Sequence, residues 1–474
     1  MTEPRPDKNR FGRLDQRWLA RALLAVAIMG CGYGERPQNL VLVSIDTLAP
    51  AHMSTYGSPR KTTPNIDSLL PDSLLFARAF SPSPWTLPSH AALLTGRFPS
   101  ALALDPSDPG ILRGAPVLAE LFQRRGYSTA AFTGAVYVSS SFGFDRGFDT
   151  YSEELGGSAA PALEWLEAQA GAEPFFLFFH TYEPHAYYND RRFVEPGAGG
   201  RIKEIFSEFP DPLADKVCCG AMALTPAEQD YLLALYDGDI ASADEMIGAL
   251  VSALDGLDLL DHTTIIVTSD HGEEFWEHTG RGGHHGHTLY DELLHIPLLW
   301  FERGIRAAGE TSDLPVSLID LTPTIVSRFG IDAPPQLDGR DLTPLLAGEP
   351  EEPRRALFAG GIAHGPARFS IRTAAGKLIW TPEPEEQLGQ GQRHPVPVES
   401  RIELYLPDDP EEQHNVADRL PAVREALLQE LKAHLTTTRR AAARAAEARA
   451  SNETGSEELP LQTREQLRRL GYID

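Results

Sequence analysis

The chain has 474 residues, of which 42% are hydrophobic, so its length and composition are typical of a folded protein with more than one domain. Its formal net charge of −25 argues against a nucleic-acid partner, because phosphates would be repelled by such a surface. Three cysteines are too few for a framework of disulfide bonds.

The first predicted element is a targeting segment. Four arginines at positions 10–21 precede a short apolar run, Leu23 to Met29, and the small residue Gly30 then meets Cys31. The apolar run is too short to span a bilayer as a helix. The pattern resembles a bacterial lipoprotein signal over residues 1–31, and an ordinary secretory signal or a single anchor is the alternative. We therefore expect a protein of the bacterial cell envelope, attached to the membrane through lipidated Cys31, or else periplasmic or extracellular.

Three apolar runs in the chain are predicted to be buried strands. Each is short, continuous and rich in β-branched or aromatic residues, which suits a parallel sheet covered on both faces. Helical patterns lie between the runs, and this alternation predicts a doubly wound α/β domain. The runs are Asn39–Asp46, Pro174–His180 and Thr263–Gly272, and the helical patterns follow Pro116, follow Ala160 and extend from Ala227 to Leu254.

Each of the three runs ends in a group that can bind a metal or move a proton. The first ends in Asp46, the second in His180 and the third in the pair Asp270-His271. One such ending is often only a turn signal. Because ligands of these sheets bind beyond the carboxyl ends of the strands, three polar endings together predict a single polar cleft.

The segment "PSPWTLPSHAALLTGR" is predicted to form a helix with a hydroxyl at its start. Pro88 suits the first turn of a helix, and Gly96 can end it. Thr86 is then placed just before the helix N-terminus, where free N–H groups favour an anion. A threonine in this position is more often only a helix cap. Together with the strand ends, its hydroxyl would complete one divalent-metal site, in which Thr86 attacks as an alkoxide.

The pattern of the chain changes after Leu345. Arg368–Trp380 alternates like an exposed strand and carries a glycine turn, and a long helical stretch extends from about Pro421 to Arg449. These elements predict a small α+β C-terminal subdomain. The predicted boundaries are a signal segment at 1–31, the main catalytic domain at 36–350, the small C-terminal subdomain at 351–420 and a helical tail at 421–474.

The sequence resembles the sulfatases of the alkaline-phosphatase superfamily over nearly all of the chain that follows the signal segment. Many short motifs carry this resemblance, and their number and order are more specific than any one of them. The resemblance implies an alkaline-phosphatase-like fold, in which a doubly wound mixed sheet is flanked by helices, and an ester hydrolase. The motifs include "LVSIDTL", "YGSPRKTTPNIDSL", "TLPSHAALLTGRFP", "HTYEPHAYY", "TSDHGEEFWEHTG", "HGHTLYDELLHIPL" and "LRRLGYID".

The resemblance also implies roles for individual residues. Thr86 occupies the position of the family's nucleophile, and His90 the position of an arginine that steadies it. The other implied residues hold the metal, bind the substrate or protonate the leaving group. Asp46, Thr86, Asp270 and His271 are the implied metal ligands; His185 and His285 are implied catalytic residues, with His287 as the alternative to His285; and His180, His287 and Arg97 are implied to bind substrate.

The sequence departs from the family pattern at the nucleophile. Sulfatases proper carry Cys or Ser there, and that residue is oxidised to formylglycine. Thr86 has a methyl group on its β-carbon and cannot give that aldehyde, so no formylglycine is expected. Thr47 and Ala51 also stand where many relatives have carboxylates. Threonine nucleophiles do occur in phosphodiesterases and phosphoethanolamine-type transferases of the superfamily.

One divalent metal ion is therefore expected, and its oxygen and imidazole ligands admit calcium, magnesium, manganese or zinc. His185 and His285 would be available to a second metal. His278 and His284, in the His-rich stretch after "SDHGEEFWEH", are interpreted as loop residues.

The leading hypothesis is a metal-dependent hydrolase of sulfate or phosphate esters or diesters, or of phosphonate esters. Two alternatives remain open. One is a catalytically inactive envelope protein that binds an anionic glycan or a lipid head group. The other is a transferase that moves a phosphoryl-linked group, which differs from a hydrolase only in its acceptor.

Overall fold

The computed structural model describes residues 38–102, 115–134, 137–153, 158–169, 174–185, 189–203, 216–350, 356–383 and 401–450. The predictions for the signal segment, for lipidated Cys31 and for residues 451–474 lie outside these ranges. Within these ranges, no helix combines the length and the apolar character needed to cross a membrane.

The strands form a large mixed sheet, a smaller antiparallel sheet and a two-stranded hairpin. The large sheet has the order β10-β2-β9-β6-β1-β5-β3-β4, with β11 paired to β2, and the small sheet has the order β12-β13-β14-β15. In chain order the strands are β1 (Asn39–Ile45), β2 (Ser73–Phe80), β3 (Ser128–Phe132), β4 (Thr150–Ser152), β5 (Phe175–Thr181), β6 (Thr263–Thr268), β7 (Glu274–Phe275), β8 (Gly282–His284), β9 (His295–Phe301), β10 (Glu310–Ser312), β11 (Val316–Ser317), β12 (Leu357–Gly360), β13 (Phe369–Thr373), β14 (Gly376–Trp380) and β15 (Ile402–Tyr405).

The three apolar runs form adjacent parallel strands in the middle of the large sheet. β1 pairs in parallel with β5 on one side and with β6 on the other. The sheet is mixed because β9 is antiparallel to both β2 and β6. The predicted doubly wound mixed sheet is therefore confirmed.

Alternate residues of β1 belong to two different hydrophobic cores. Leu40 and Leu42 pack into the core on one face of the sheet, whereas Val41 and Val43 pack into the core on the other. Because both faces are covered, the strand needs apolar side chains at successive positions rather than at every second one. This explains the continuous run that the sequence shows.

The helices cover the sheet. Helix α6 (Pro226–Gly256) begins with a capping box in which the Thr225 side chain accepts from the Glu228 N–H, and it closely matches its predicted bounds. In chain order the helices of four or more residues are α1 (Pro64–Asp67), α2 (Thr86–Thr95), α3 (Pro99–Leu102), α4 (Leu118–Gln123), α5 (Ala160–Ala168), α6 (Pro226–Gly256), α7 (Asp291–Leu294), α8 (Leu321–Arg328), α9 (Thr343–Leu346) and α10 (Pro421–Ala450).

Two elements are shorter than the sequence pattern predicts. The helix after Pro116 ends at Gln123, and Gly126 follows it with a left-handed φ of 78°. The third apolar strand ends at Thr268 rather than at Gly272. Residues 269–272 do not continue this strand, since the Gly272 N–H donates to the carbonyl of Leu293 instead of to a strand of the sheet.

The segment predicted as an exposed strand with a glycine turn forms two antiparallel strands, β13 and β14, and these are largely buried because the C-terminal helix packs against them. Helix α10 packs on this sheet through Leu427, Leu431 and Leu435, which share a hydrophobic core with Ile371 and Leu378. The small C-terminal unit is thus α+β, as predicted, and its residue boundaries stay a prediction.

Candidate active site

The carboxyl ends of the three central strands bring their polar residues together. Ser44 in β1 is in register with His180 in β5 and with Thr268 in β6. Asp46 follows β1 directly, and Asp270 is the second residue after β6. The strand register therefore sets the three polar endings side by side at one edge of the sheet.

Asp46, Asp270 and His271 form a cluster that can hold a metal ion. Each offers one ligand atom, and these atoms all lie within 4.8 Å of one another. The three side chains are fully buried. In the described part of the chain, Asp46 Oδ1 and Asp270 Oδ2 have no hydrogen-bond partner. Two buried carboxylate oxygens left in this state suit a bound cation, because uncompensated buried charge is costly.

The tautomer of His271 also fits a metal ligand. Its Nδ1 lies 2.9 Å from the carbonyl oxygen of Gly272, so this nitrogen is the one that donates. Its Nε2 then carries the lone pair, 3.3 Å from Asp270 Oδ2 and 3.8 Å from Asp46 Oδ1. A metal-binding imidazole is usually oriented in this way by a carbonyl on its other nitrogen.

The pKa shifts within the cluster also suit a bound metal ion. Burial raises the pKa of Asp46 to about 7. Burial, with the nearby charge of Asp46, raises the pKa of Asp270 well above its usual value. Burial and the charge of His285 lower the pKa of His271 far below its usual value. A divalent cation would favour the ionised carboxylates and the neutral imidazole.

Thr86 places its hydroxyl directly on this cluster. Its Oγ1 lies 3.4 Å from Asp46 Oδ2 and 3.4 Å from His271 Nε2. Thr86 is the first residue of α2 rather than the residue before it, and Trp85 is the N-cap, without a side-chain capping bond. The hydroxyl is therefore directed at the cluster and does not cap the helix.

His90 and His180 contact the residues of the cluster and fix their positions. His90 Nδ1 donates to the carbonyl of Thr86, 2.9 Å away, and Nε2 accepts from the Ser44 hydroxyl, 3.0 Å away. His180 Nε2 lies 3.2 Å from Asp46 Oδ2. Burial lowers the pKa of His180 to about 3, and burial is also the main cause that lowers the pKa of His90 well below its usual value. Both imidazoles are neutral and fully buried, so they orient the residues that face the ester.

His285 and His185 lie beside the cluster. The ring centroid of His285 is 4.5 Å from that of His271 and 5.1 Å from that of His185. His285 Nδ1 donates to Glu273 Oε1, 3.0 Å away. Burial lowers the pKa of His285, but the charge and hydrogen bond of Glu273 outweigh it and raise the pKa above its usual value.

Two residues that the family resemblance implied as substrate-binding lie elsewhere. His287 Nε2 donates to Glu274 Oε2, 2.5 Å away. Arg97 follows the C-terminal end of α2, about 16 Å along the helix axis from Thr86 by the rise of 1.5 Å per residue. Its Nε lies 3.6 Å from Asp338 Oδ2. The structure brings neither side chain to the cluster.

Sequence reasoning overlooked three residues of the site. Ser44 precedes Asp46 by two residues, so it lies on the same face of β1, and this spacing was a usable signal. Glu273 follows the Asp270-His271 pair within "SDHGEE", which also marked it. The Tyr236 hydroxyl donates to the Thr47 carbonyl at 2.6 Å and accepts from Ala49 N–H at 3.0 Å. No local pattern marks this tyrosine within its long helix.

Thr47 has an unusual backbone conformation beside the cluster. Its φ is 56°, a left-handed value that is strained for a β-branched residue. Its N–H donates to Asp270 Oδ1, 3.3 Å away. The Thr47 position therefore links the ends of β1 and β6, although it lacks the carboxylate that many relatives carry.

Comparisons with known proteins all indicate the same family. The family described as Sulfatase matches residues 38–331. Human arylsulfatase A is 28% identical over 409 residues, which cover 71% of this chain and 73% of that protein. The ulvan-active sulfatase of Formosa agariphila is 27% identical, with 71% of each chain covered.

A solved structure with a similar fold is the phosphonate monoester hydrolase of Agrobacterium radiobacter. It superposes with a TM-score of 0.64 at 21% identity and covers 85% of this chain and 96% of its own. At this identity the likeness concerns the fold alone.

Proposed function

Since the chain belongs to the sulfatase family of the alkaline-phosphatase superfamily and is a hydrolase of ester bonds, we propose that Thr86 is its nucleophile and that Asp46, Asp270 and His271 hold a divalent metal. The proposed substrates are sulfate or phosphate esters, including phosphodiesters and phosphonate monoesters.

A single observation carries the proposal. The Thr86 hydroxyl lies 3.4 Å from both Asp46 and His271, at a cluster in which one oxygen of each carboxylate, Asp46 Oδ1 and Asp270 Oδ2, has no hydrogen-bond partner in the described residues. A hydroxyl that only stabilised the helix would face the N–H groups of the first turn instead. When bound, the metal supplies the positive charge that favours an ionised hydroxyl and a negatively charged ester.

The chain's own residues orient the nucleophile. Asp46 Oδ2 is placed to accept the hydrogen of the Thr86 hydroxyl. His90 holds the Thr86 carbonyl and is held in turn by Ser44, which restrains the first turn of α2. The Thr86 oxygen is thus fixed before an ester arrives, and orientation of this kind lowers the activation barrier.

His285 and His185 face the remaining side of the site. His285 donates through Nδ1 to the buried Glu273, so its Nε2 is left to meet the substrate. In this position it is placed to hold an oxyanion or to donate a proton to the leaving group, as a general acid does. His185, whose ring meets that of His285 edge-on, borders the same space.

Several finer statements belong to the same proposal. The oxygen and imidazole ligands admit calcium, magnesium, manganese or zinc. The substrate is an anionic ester, on a glycan or a lipid head group, rather than a nucleic acid. The N-terminal pattern supports lipidation at Cys31 and a place in the bacterial cell envelope. A transferase would use the same residues as a hydrolase, and the two reactions would differ only in whether the acceptor is water or another molecule.

The test is a hydrolysis panel on the chain that begins after Cys31. Aryl sulfate, phosphate monoester, phosphodiester and phosphonate monoester are each offered with each of the four metals. Thr86→Ala is expected to lose at least about 10³-fold in kcat, because it removes the nucleophile. Thr95→Ala, at the other end of the same helix, is the matched control and should leave kcat unchanged.

Two further results would contradict the proposal. Mass spectrometry that finds an oxidised side chain at residue 86 would show that the native hydroxyl is not the nucleophile. Turnover that persists in Thr86→Ala would assign the attack to another group. Metal binding without turnover of any ester would instead support the anion-binding alternative.

A further inference from the structure

A second group of basic side chains lies beside the active site, and the proposed reaction does not use it. We call it the basic corner and define it by Arg281, His284, His287 and His364. The first three lie on or next to β8, and His364 lies on the segment that follows β12.

The histidines of the basic corner are stacked. The ring centroids of His284 and His287 are 4.8 Å apart, with 19° between the ring planes. Those of His284 and His364 are 5.4 Å apart, with 20° between the planes. His284 is therefore the middle ring of three nearly parallel imidazoles contributed by two distant parts of the chain.

The basic corner adjoins the proposed nucleophile. Gly286 N–H donates to the carbonyl of Pro84, 2.9 Å away. The Gly286 carbonyl accepts from the N–H groups of Ala363 and His364, at 2.8 and 2.9 Å. A side chain at Gly286 would meet Ala363 and Trp85, the residue before Thr86. His284 also lies one residue from His285, with ring centroids 6.2 Å apart.

The ionisable groups with the strongest effect on His284 are all basic. Burial lowers the pKa of His284 well below its usual value, and His287, His364, Arg281 and His285 lower it further. Two carboxylates near the corner already have partners, since Glu273 accepts from His285 and Glu274 accepts from His287. On a chain with a net charge of −25, a cluster of this composition stands out.

Two ring nitrogens of the basic corner, His284 Nε2 and His287 Nδ1, are buried and make no hydrogen bond to the described residues. His284 is also only partly buried as a residue, whereas Arg281 and His287 are fully buried. The middle ring thus lies at the mouth of the corner, with one nitrogen left to bind a ligand. An unsatisfied buried nitrogen is costly, and this cost points to a group that satisfies it.

We propose that the basic corner binds a second anionic group of the substrate, a sulfate, phosphate or carboxylate, while the reacting ester lies at Thr86. The preferred substrates would then carry two anionic groups a short distance apart. His284 Nε2 acts here as a neutral hydrogen-bond donor, and Arg281 supplies the positive charge. The inference rests on the proposed function for the identity of the first anion.

The test uses stable disulfonates, which bind as double anions and contain no ester to hydrolyse. Isothermal titration of the metal-loaded protein compares methanesulfonate with alkane-α,ω-disulfonates that have two to six carbons. We expect one chain length to bind at least tenfold more tightly than methanesulfonate. His284→Phe keeps a stacked ring without its nitrogens and should abolish this advantage while methanesulfonate affinity stays unchanged.

A matched control is His434→Phe, because His434 is also a stacked histidine, 3.7 Å from the ring of Phe358 in the C-terminal unit. It should leave the disulfonate advantage intact. If His284→Phe does not fold, as judged by circular dichroism, His364→Phe replaces it and is expected to show the same loss.

The outcomes separate this inference from the proposed function. Ester hydrolysis with no disulfonate advantage at any length would overturn the basic corner alone. Equal weakening of methanesulfonate and disulfonate in His284→Phe would also overturn it, since this would show a structural role. A disulfonate advantage that depends on His284, without hydrolysis of any ester, would support the corner and contradict the proposed function.

Discussion

The two halves of the candidate active site are built differently. The strand-end half, which consists of Asp46, His180, Asp270 and His271, lies at the carboxyl ends of three parallel strands and is completely buried. The hairpin half, which consists of residues 273–287, lies on β7, β8 and their flanking loops, and carboxylates hold three of its histidines, His278, His285 and His287.

The comparison shows two ways of fixing a side chain. In the strand-end half, the backbone register sets the positions, and polar atoms are left over for a ligand. In the hairpin half, side-chain pairs and contacts with the C-terminal unit set them. We therefore expect strand-end substitutions to abolish metal binding and chemistry together, and hairpin substitutions to change the reaction while the metal stays bound.

The largest effect is expected at Asp270, which tests the strand-end half. Asp270→Asn keeps the shape of the side chain and removes the charge that a cation needs. We expect a loss of at least about 10³-fold in kcat and of measurable metal binding in isothermal titration. A control is Asp338→Asn, whose carboxylate pairs with Arg97 far from the cluster.

A variant with normal metal affinity and normal rate would show that Asp270 does not hold the ion. It would also remove the distinction between the two halves, because the strand ends would then have only a structural role.

A smaller and more selective effect is expected at Glu273, which tests the hairpin half. Glu273→Gln keeps a hydrogen-bond acceptor for His285 and removes the negative charge. If His285 assists the leaving group, kcat should fall by about 10- to 100-fold for esters with poor leaving groups. Esters with good leaving groups should change little, and metal affinity should stay normal. Equal loss for all leaving groups would mean that Glu273 only maintains the fold.

The sequence predicted the strand-end half well for a physical reason. A buried parallel strand needs a continuous apolar run, so a charged residue at the end of the run marks the edge of the sheet. Asp46, His180 and Asp270-His271 could therefore be placed without any long-range information. Thr86 followed from the helix signals around Pro88 and Gly96.

The hairpin half could not be resolved in the same way. His285 and His287 are two residues apart in one loop, and no period distinguishes them. The structure separates them because Glu273 binds His285 and Glu274 binds His287. The positions of both histidines also depend on Gly286, whose backbone is hydrogen-bonded to Pro84 and His364. These residues are distant in the chain, and no local pattern connects them. For the same reason, the sequence interpreted His284 as an ordinary loop residue.

A modest effect is expected at Ser44, a strand-end residue outside the metal cluster. Its hydroxyl donates to His90, which holds the Thr86 carbonyl. Ser44→Ala removes one buried hydrogen bond of about 1 kcal/mol, so kcat should fall roughly fivefold while metal affinity stays unchanged. Ser44→Thr keeps a hydroxyl and should recover most of the rate. Loss of metal binding in Ser44→Ala would show that the whole strand-end half behaves as one unit.

The smallest effect concerns stability and tests how the hairpin half is held. His278 Nδ1 lies 2.9 Å from Glu292 Oε1, its Nε2 lies 3.2 Å from the Glu412 carbonyl, and its ring stacks on Tyr290 at 3.7 Å. Burial lowers the pKa of His278, but the hydrogen bond and charge of Glu292 outweigh it and raise the pKa to about 9.

Because the folded-state pKa of His278 lies above its unfolded value, the stabilisation is complete below about pH 6.5 and disappears as the pH rises through about 9. His278→Gln should therefore lower Tm at pH 6, and the difference from the wild-type chain should shrink towards pH 10. His414→Gln, whose side chain is 82% exposed, is the control and should show no such difference. An equal Tm deficit at both pH values would mean that packing on Tyr290, rather than the ionic contact, holds the hairpin to the C-terminal unit.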